Sequence, residues 1–322
     1  MQAIILNKVG APSNFKIEKV DDPKIGPKQV LVRHRAIGVN FLDVCFRRGQ
    51  YQLSKLPAIL GMEACGYVEK IGSEVVDYKI GQRVAYATAG LGCYAEKRAV
   101  DQRYLVNVPD ALSDVQVASC LFKGLTAHTL LNRVYMASRI KKILIHSVAG
   151  GLGHILCQYA KYLGIEVFGT VGSDEKIAIA KSFGCNHVIN YTKQDYVTEI
   201  AKITNNGGVG LVYDGVGKDN INKSLQCLWP MGFCINHGES AGPIEKIDFD
   251  LMLMNSLFFT RPLMTMYKSP RAELAVCADE VFAGVIKGIF RLQTTEFAFK
   301  DVAKAHKALE NRETTGSLVL VV

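Results

Sequence analysis

Gly150, Gly151 and Gly153 sit together in the segment ILIHSVAGGLGHILCQYAKYLG, Ile143 to Gly164, where an apolar run gives way to helical spacing. Small residues at such a junction let the backbone turn tightly, let a diphosphate approach the unpaired N–H groups of a helix start, and let helix and strand pack closely. The same glycines would also serve a plain turn. Their place after the first strand of an alternating series, and before an amphipathic helix, is the context a dinucleotide pyrophosphate site requires. A site for NAD would carry Asp or Glu about 20 residues further on, to bind the ribose 2′-hydroxyl. Here the next strand, EVFGTVG, ends in Gly172, and Ser173 and Lys176 follow. A hydroxyl, a helix N-terminus and an ammonium suit a 2′-phosphate, which a carboxylate would repel, so NADPH is the expected cofactor. Ser173 or Asp174 would at the same time cap the helix that starts there.

The elements that must position these residues follow from periodicity. Leu152, Ile155, Leu156, Tyr159, Ala160 and Leu163 form one apolar stripe, the mark of a helix lying on a sheet. From about Gly124, short apolar strands alternate with helices predicted over 152–163, 174–183 and 195–204. That alternation makes an α/β fold with a doubly wound parallel sheet, a Rossmann domain assigned to residues 124–262. Before it, KQVLVRHRAIGVN, GYVEKIGSEV and GQRVAYAT alternate with period two and predict a turn-rich, mainly β domain over 1–123, completed by 263–322. The cofactor is expected in the cleft where the two domains meet.

Composition narrows the classes. The start, MQAIILNKVG, breaks its apolar run at Asn7, and stretches such as LMLMNSLFF fall short of the ~20 residues of a membrane span, so a cytoplasmic protein is expected. Nine cysteines are scattered with no C-x-x-C, which reads as reduced thiols and not as a disulfide or zinc framework. The net charge of +8 permits an anionic partner, which a nucleotide cofactor would satisfy. The basic groups RHR, Arg47–Arg48 and Lys141–Lys142 are short and not interleaved with stacking aromatics, so no nucleic-acid partner is expected.

The segment PAILGMEACGYVEKIGSEVVDYKIGQRVAYA resembles the G-H-E-x-x-G-x-V stretch of medium-chain dehydrogenases/reductases. Together with FKGLTAHTLL, HSVAGGLGHILCQYAKYLG, GTVGSDEK, VINY, VYDGVG and TRP, it makes the chain resemble their zinc-free quinone oxidoreductase (zeta-crystallin-like) branch, from AIGVNFLDV to TGSLVLV. The resemblance implies a chaperonin-10-like (GroES-like) catalytic domain beside the Rossmann domain, NADPH-dependent quinone reduction, and a homodimer formed through the apolar strand SLFFTRP. It implies that Asn40, Phe41 and Tyr51 line the nicotinamide and substrate site, with Lys123 and Thr126 beside it. It places Gly151, Leu152, Gly172, Ser173, Lys176 and Tyr191 along the adenosine diphosphate half, and matches Val216, Gly238, Ser240, Arg261 and Arg312 to later cofactor-contacting stretches. His237 stands where the family has an aromatic, a change expected to alter ribose or nicotinamide contacts. Tyr51 either donates a hydrogen bond to a quinone oxygen or closes the GQYQLS turn, and either arginine could equally be a solvated surface charge.

Zinc is not expected. The family's histidine in G-H-E is Met62 here, and a thioether is a poor ligand for Zn²⁺, although Glu63 and Cys65 stand close by in the sequence. Without a Lewis acid, oxidation of a simple alcohol loses its electrophile, whereas a quinone is already a strong acceptor and needs mainly positioning. Two other readings stand beside this one: an NADPH-dependent enone or enoyl-thioester reductase, for which Tyr51 would be the proton donor, and a crystallin-like RNA-binding protein.

Overall fold

The computed structural model describes residues 1–218, 220–267 and 271–322. They divide into two compact units: Met1–Leu125 with 271–288 and Leu292–Val322, and Thr126–Tyr267 with Ile289–Arg291.

The second unit is built on six parallel strands, ordered across the sheet as His187–Asn190, Glu166–Val171, Lys142–Ile145, Val209–Asp214, Leu228–Asn236 and Phe258–Thr260. In chain order this is 3-2-1-4-5-6, the doubly wound arrangement in which ligands lie beyond the carboxyl ends of the strands. Val209–Asp214 is buried along its whole length, as expected of a strand covered on both faces by helices. The helices run Gly151–Tyr162, Glu175–Ser182 and Tyr196–Ile203. Their ends differ by about a residue from the expected ones because caps, not apolar periodicity, decide a terminus. Asp195, for instance, is the residue before its helix, and its carboxylate accepts the Thr198 amide at 3.1 Å.

The first unit is mainly antiparallel. Its central strand, Gln29–Val39, pairs with Glu63–Ile71, Lys97–Asp101 and the C-terminal Ser317–Val321. The pairing of Leu318 with Val39 carries the end of the chain back into the N-terminal sheet. Ile4, Val32, Ile37, Val68, Val84, Tyr94, Val302 and Leu318 fill the core. Two helices that the period-two pattern did not single out, Phe41–Arg48 and Val302–Glu310, belong to this unit. All nine cysteines are buried thiols. Among the described residues no helix is long and apolar enough to cross a membrane.

Candidate functional site

The glycine-rich turn follows strand Lys142–Ile145. The amide of Gly150 donates to Ser147 O at 2.8 Å, and Gly150 then heads the helix Gly151–Tyr162. Gly153 is there for contact: a Cβ on it would stand 2.3 Å from Ser147 O and 2.8 Å from Val148 Cα, both backbone atoms. Gly150 is looser, at 3.1 Å from the same oxygen. Gly151 and Leu152, in the first turn of the helix, are half-buried.

At the end of the next strand, Gly172 and Tyr191 are brought together, since a Cβ on Gly172 would lie 2.7 Å from the tyrosine hydroxyl. Ser173 and Lys176, which follow Gly172 in the chain, are half-buried, and the Lys176 amide donates to Ser173 O at 3.3 Å. The adjacent acid Asp174 does not cap its helix through its side chain. Its carboxylate instead takes Asn190 Nδ2 at 2.7 Å and the Lys193 ammonium. Lys193, and then Asn190, hold it below the usual carboxylate range. The charge that would oppose a 2′-phosphate is thus tied up by two residues the sequence did not single out.

The remaining Rossmann positions follow the fourth, fifth and sixth strands in sheet order. Asp214 is buried and accepts from Val216 N (2.7 Å), Gly217 N (2.9 Å), Asn220 Nδ2 (2.9 Å) and Ser224 Oγ (2.6 Å). Burial pushes its carboxyl up, but His146, Ser224, Gly217 and Asn220 outweigh burial and hold it below its ordinary range. Ser240 N donates to Gly215 O at 3.0 Å and Asn236 Nδ2 to Asp214 O at 3.2 Å, which binds the two strand-end loops together, while Asn236 Nδ2 also donates to Gly238 O at 2.8 Å within its own loop. The His237 ring lies on Gly215, where a Cβ would meet Cε1 at 2.6 Å. Burial pulls its pKa down to about 4, so the ring is neutral, and its buried Nε2 has no hydrogen-bond partner among the described residues. Arg261, expected at the cofactor, reaches Glu239 at 3.0 Å. Arg312 is exposed in left-handed backbone, φ 59°, beyond helix Val302–Glu310 of the first unit.

In the first unit, the register that sets Gly38 opposite Glu63 brings a buried polar cluster to the end of strand Gln29–Val39. Glu63 Oε1 accepts from Asn40 Nδ2 at 2.9 Å and from Lys123 Nζ at 3.1 Å, and Oε2 accepts from Phe122 N at 2.8 Å. Asn40 precedes helix Phe41–Arg48, and its own amide donates to Asp43 Oδ2 at 2.9 Å. A directional chain continues from there. Arg47 Nε donates to His306 Nδ1 (3.3 Å), His306 Nε2 to the Tyr94 hydroxyl (2.9 Å), and that hydroxyl to Asp43 Oδ2 (3.1 Å). Burial pushes Asp43 up to about 7, against the pull of Asn40 and Tyr94, while burial and then Arg47 press His306 down to about 3. Phe41 is half-buried, and Tyr51 packs edge-on against Phe46 with ring centroids 5.7 Å apart. Thr126 shares helix Asp114–Thr129 with Lys123, and its hydroxyl meets Met264 Sδ at 3.3 Å.

The sequence singles out Glu63 only as a neighbour of the lost metal position, and it gives no sign of Asp43, Tyr94 or His306. The nearby Cys65 thiol donates to Asp114 Oδ1 at 3.4 Å and is pushed well above its ordinary value by burial and then by that carboxylate. Among the described residues no group of three or more His, Cys, Asp or Glu could hold a metal ion. A dinucleotide fits better. The tight glycine turn at a helix start, the hydroxyls of Ser173 and Tyr191 and the ammonium of Lys176 are group types that suit a phosphorylated dinucleotide, and no acid ends strand Glu166–Val171 to repel a 2′-phosphate.

A family model described as a zinc-binding dehydrogenase matches residues 151–275, and one described as an alcohol dehydrogenase GroES-like domain matches residues 26–110. The chain is 38% identical to a quinone oxidoreductase of Pseudomonas aeruginosa, over 97% of each chain. It is also 38% identical to a 2-haloacrylate reductase of a Burkholderia species, over 100% of this chain and 99% of the other. The crystal structure of Escherichia coli quinone oxidoreductase complexed with NADPH superposes with a TM-score of 0.96 at 35% identity, covering 100% of both chains.

Proposed function

Because this chain belongs to the quinone oxidoreductase branch of the medium-chain dehydrogenase/reductase superfamily, we propose that it transfers reducing equivalents from NADPH to a quinone without a metal. The observation that carries the cofactor half is the set Gly172, Ser173, Lys176 and Tyr191, with the neighbouring Asp174 paired to Lys193. When bound, NADPH supplies a hydride. Ser173, Lys176 and Tyr191 hold its 2′-phosphate, and the amides at the start of helix Gly151–Tyr162 hold the pyrophosphate. Val216, His237, Gly238 and Ser240 line the rest of the cofactor, to which the neutral His237 ring offers one hydrogen bond through Nε2. Arg261, which pairs with Glu239, and Arg312 add two guanidinium contacts to the cofactor. Asn40, Tyr51, Lys123 and Thr126 supply polar groups for the acceptor, whose reduction depends on positioning more than on bond activation.

A second reading has one specific support, the full-length similarity to a 2-haloacrylate reductase. Reduction of an activated double bond asks for the same hydride donor and one proton. Turnover of NADPH against ortho- and para-quinones, and in parallel against 2-haloacrylates and enones, separates the two. We expect kcat/KM for the best quinone to exceed that for the best enone by at least about tenfold, a difference of ~1.4 kcal/mol. The opposite order would replace the quinone reading.

The enzyme is further proposed to be a cytoplasmic homodimer. Among the described residues, strand Phe258–Thr260 is the last in its sheet and pairs on one side only, with Leu228–Asn236. Beside it in the chain, helix Phe249–Asn255 leaves Phe249 71%, Leu253 76% and Met254 81% exposed. An edge strand next to an apolar helix face is what a second copy of the chain can cover symmetrically. Leu253→Glu combined with Met254→Glu, both solvent-facing, is expected to convert the dimer to a monomer in sedimentation velocity without lowering the Tm of the monomer fold. A dimer that survives both charges lies elsewhere.

A further inference from the structure

We propose that Glu63 is a positioning residue that aims the Lys123 ammonium as the proton donor to the reduced acceptor. The proposal rests on the reductase reading above and assigns within it a role that fold membership leaves open.

One carboxylate organises three donors, Asn40 Nδ2, Lys123 Nζ and Phe122 N, at 2.9, 3.1 and 2.8 Å. Glu63 is 1%, Asn40 5% and Lys123 6% exposed. The space for the carboxylate exists because residue 38 has no side chain: a Cβ on Gly38 would fall 2.2 Å from Glu63 Oε1 and 2.5 Å from Ala118 O. A buried ion pair of this kind is rarely better for stability than apolar residues of the same volume, so stability does not account for it. Among the described residues Glu63 Oε1 is the one acceptor within hydrogen-bond distance of Nζ, which leaves two of the three ammonium protons for a ligand. Asn40 is held independently from its backbone side by Asp43, itself fixed by Tyr94 and His306, so the donor pair has a rigid base.

Two-electron reduction of a quinone, or of an enone, leaves negative charge on oxygen. The Nζ–H bond of Lys123 breaks, an O–H bond forms on that oxygen, and the electron pair of the broken bond stays on nitrogen. The neutral amine then regains a proton from water. No electrons cross in this step. Among the described residues the charged and titratable groups around Lys123 are Glu63 from strand Glu63–Ile71, Asp43 from helix Phe41–Arg48 and Cys120 from its own helix; Tyr94 faces Glu63 and Asp43.

The test uses the whole chain with three readouts. Lys123→Met is expected to lower kcat roughly 100-fold, the usual scale for a lost general acid. Glu63→Gln, which keeps the shape and removes the charge, should lower kcat about tenfold with KM changed less than about threefold, and should move the alkaline limb of the kcat profile to lower pH. Apart from turnover, para-nitrophenol is titrated spectroscopically as a stable mimic of the hydroquinone oxyanion. Wild type should bind it as the phenolate, and Lys123→Met should not. A Glu63→Gln enzyme with a lower Tm but an unmoved pH limb would show a merely structural role and overturn the proposal, as would phenolate binding that survives Lys123→Met. Should Glu63→Gln not fold, the Lys123→Met phenolate titration decides alone. A wild type that turns over neither quinones nor enones would sink the reductase reading, while the phenolate titration would still judge the donor pair.

Discussion

Lys176→Ala is expected to cut the selectivity for NADPH over NADH by about 10- to 100-fold, the loss of a charged hydrogen bond worth roughly 1.5–3 kcal/mol. Lys176, a half-buried residue, lies in the first turn of helix Glu175–Ser182, where a helix N-terminus and an ammonium both favour an anion. The ionised Asp174 nearby is engaged by Lys193 and Asn190, so its charge opposes a 2′-phosphate less than that of an unpaired carboxylate. NADH lacks the 2′-phosphate, so its kcat/KM should hardly move. The ratio of kcat/KM for the two cofactors, measured with one quinone at two salt concentrations, checks this; the wild-type advantage should also shrink as salt screens the contact. An unchanged ratio would place the 2′-phosphate elsewhere.

Gly153→Ala should abolish measurable NADPH binding and lower stability by about 1–3 kcal/mol. Helix propensity alone would predict the reverse, since alanine is favoured over glycine inside a helix by about 1 kcal/mol. The sign is set by contact. The new Cβ would lie 2.3 Å from Ser147 O and 2.8 Å from Val148 Cα, and backbone cannot yield as the tip of a flexible side chain can. The helix would have to lift from the turn that the pyrophosphate is to approach. Gly150→Ala is the control, because its Cβ would meet Ser147 O at 3.1 Å and needs only a small adjustment. NADPH fluorescence titration and thermal unfolding of both variants read the two effects separately. Tight NADPH binding by Gly153→Ala would refute the assigned turn.

Much of the fold was legible because its signals are local. The stripe from Leu152 to Leu163 and the period-two run around Val30 to Val39 lie within a few turns or one strand, so their partners are implied by burial alone. The glycines at 150, 151 and 153 were legible for the same reason, since a tight turn is a property of consecutive residues. Less visible were the first-unit helices Phe41–Arg48 and Val302–Glu310, whose short patterns do not stand out from the strands around them.

By itself the sequence determined the two architectures, the tight glycine turn and the absence of an acid at the end of strand Glu166–Val171, all of them properties of neighbours along the chain. Tertiary structure alone decided which charges are spent on one another: Asp174 on Lys193, Arg261 on Glu239, and Glu63 on Asn40 and Lys123. It also joined His306 to Tyr94 across 212 residues. The reason is physical. A side chain's charge is a local fact, but its partner, burial and protonation depend on sheet register and on chain returning from far away, as when Gly38 pairs with Glu63 and makes room for its carboxylate.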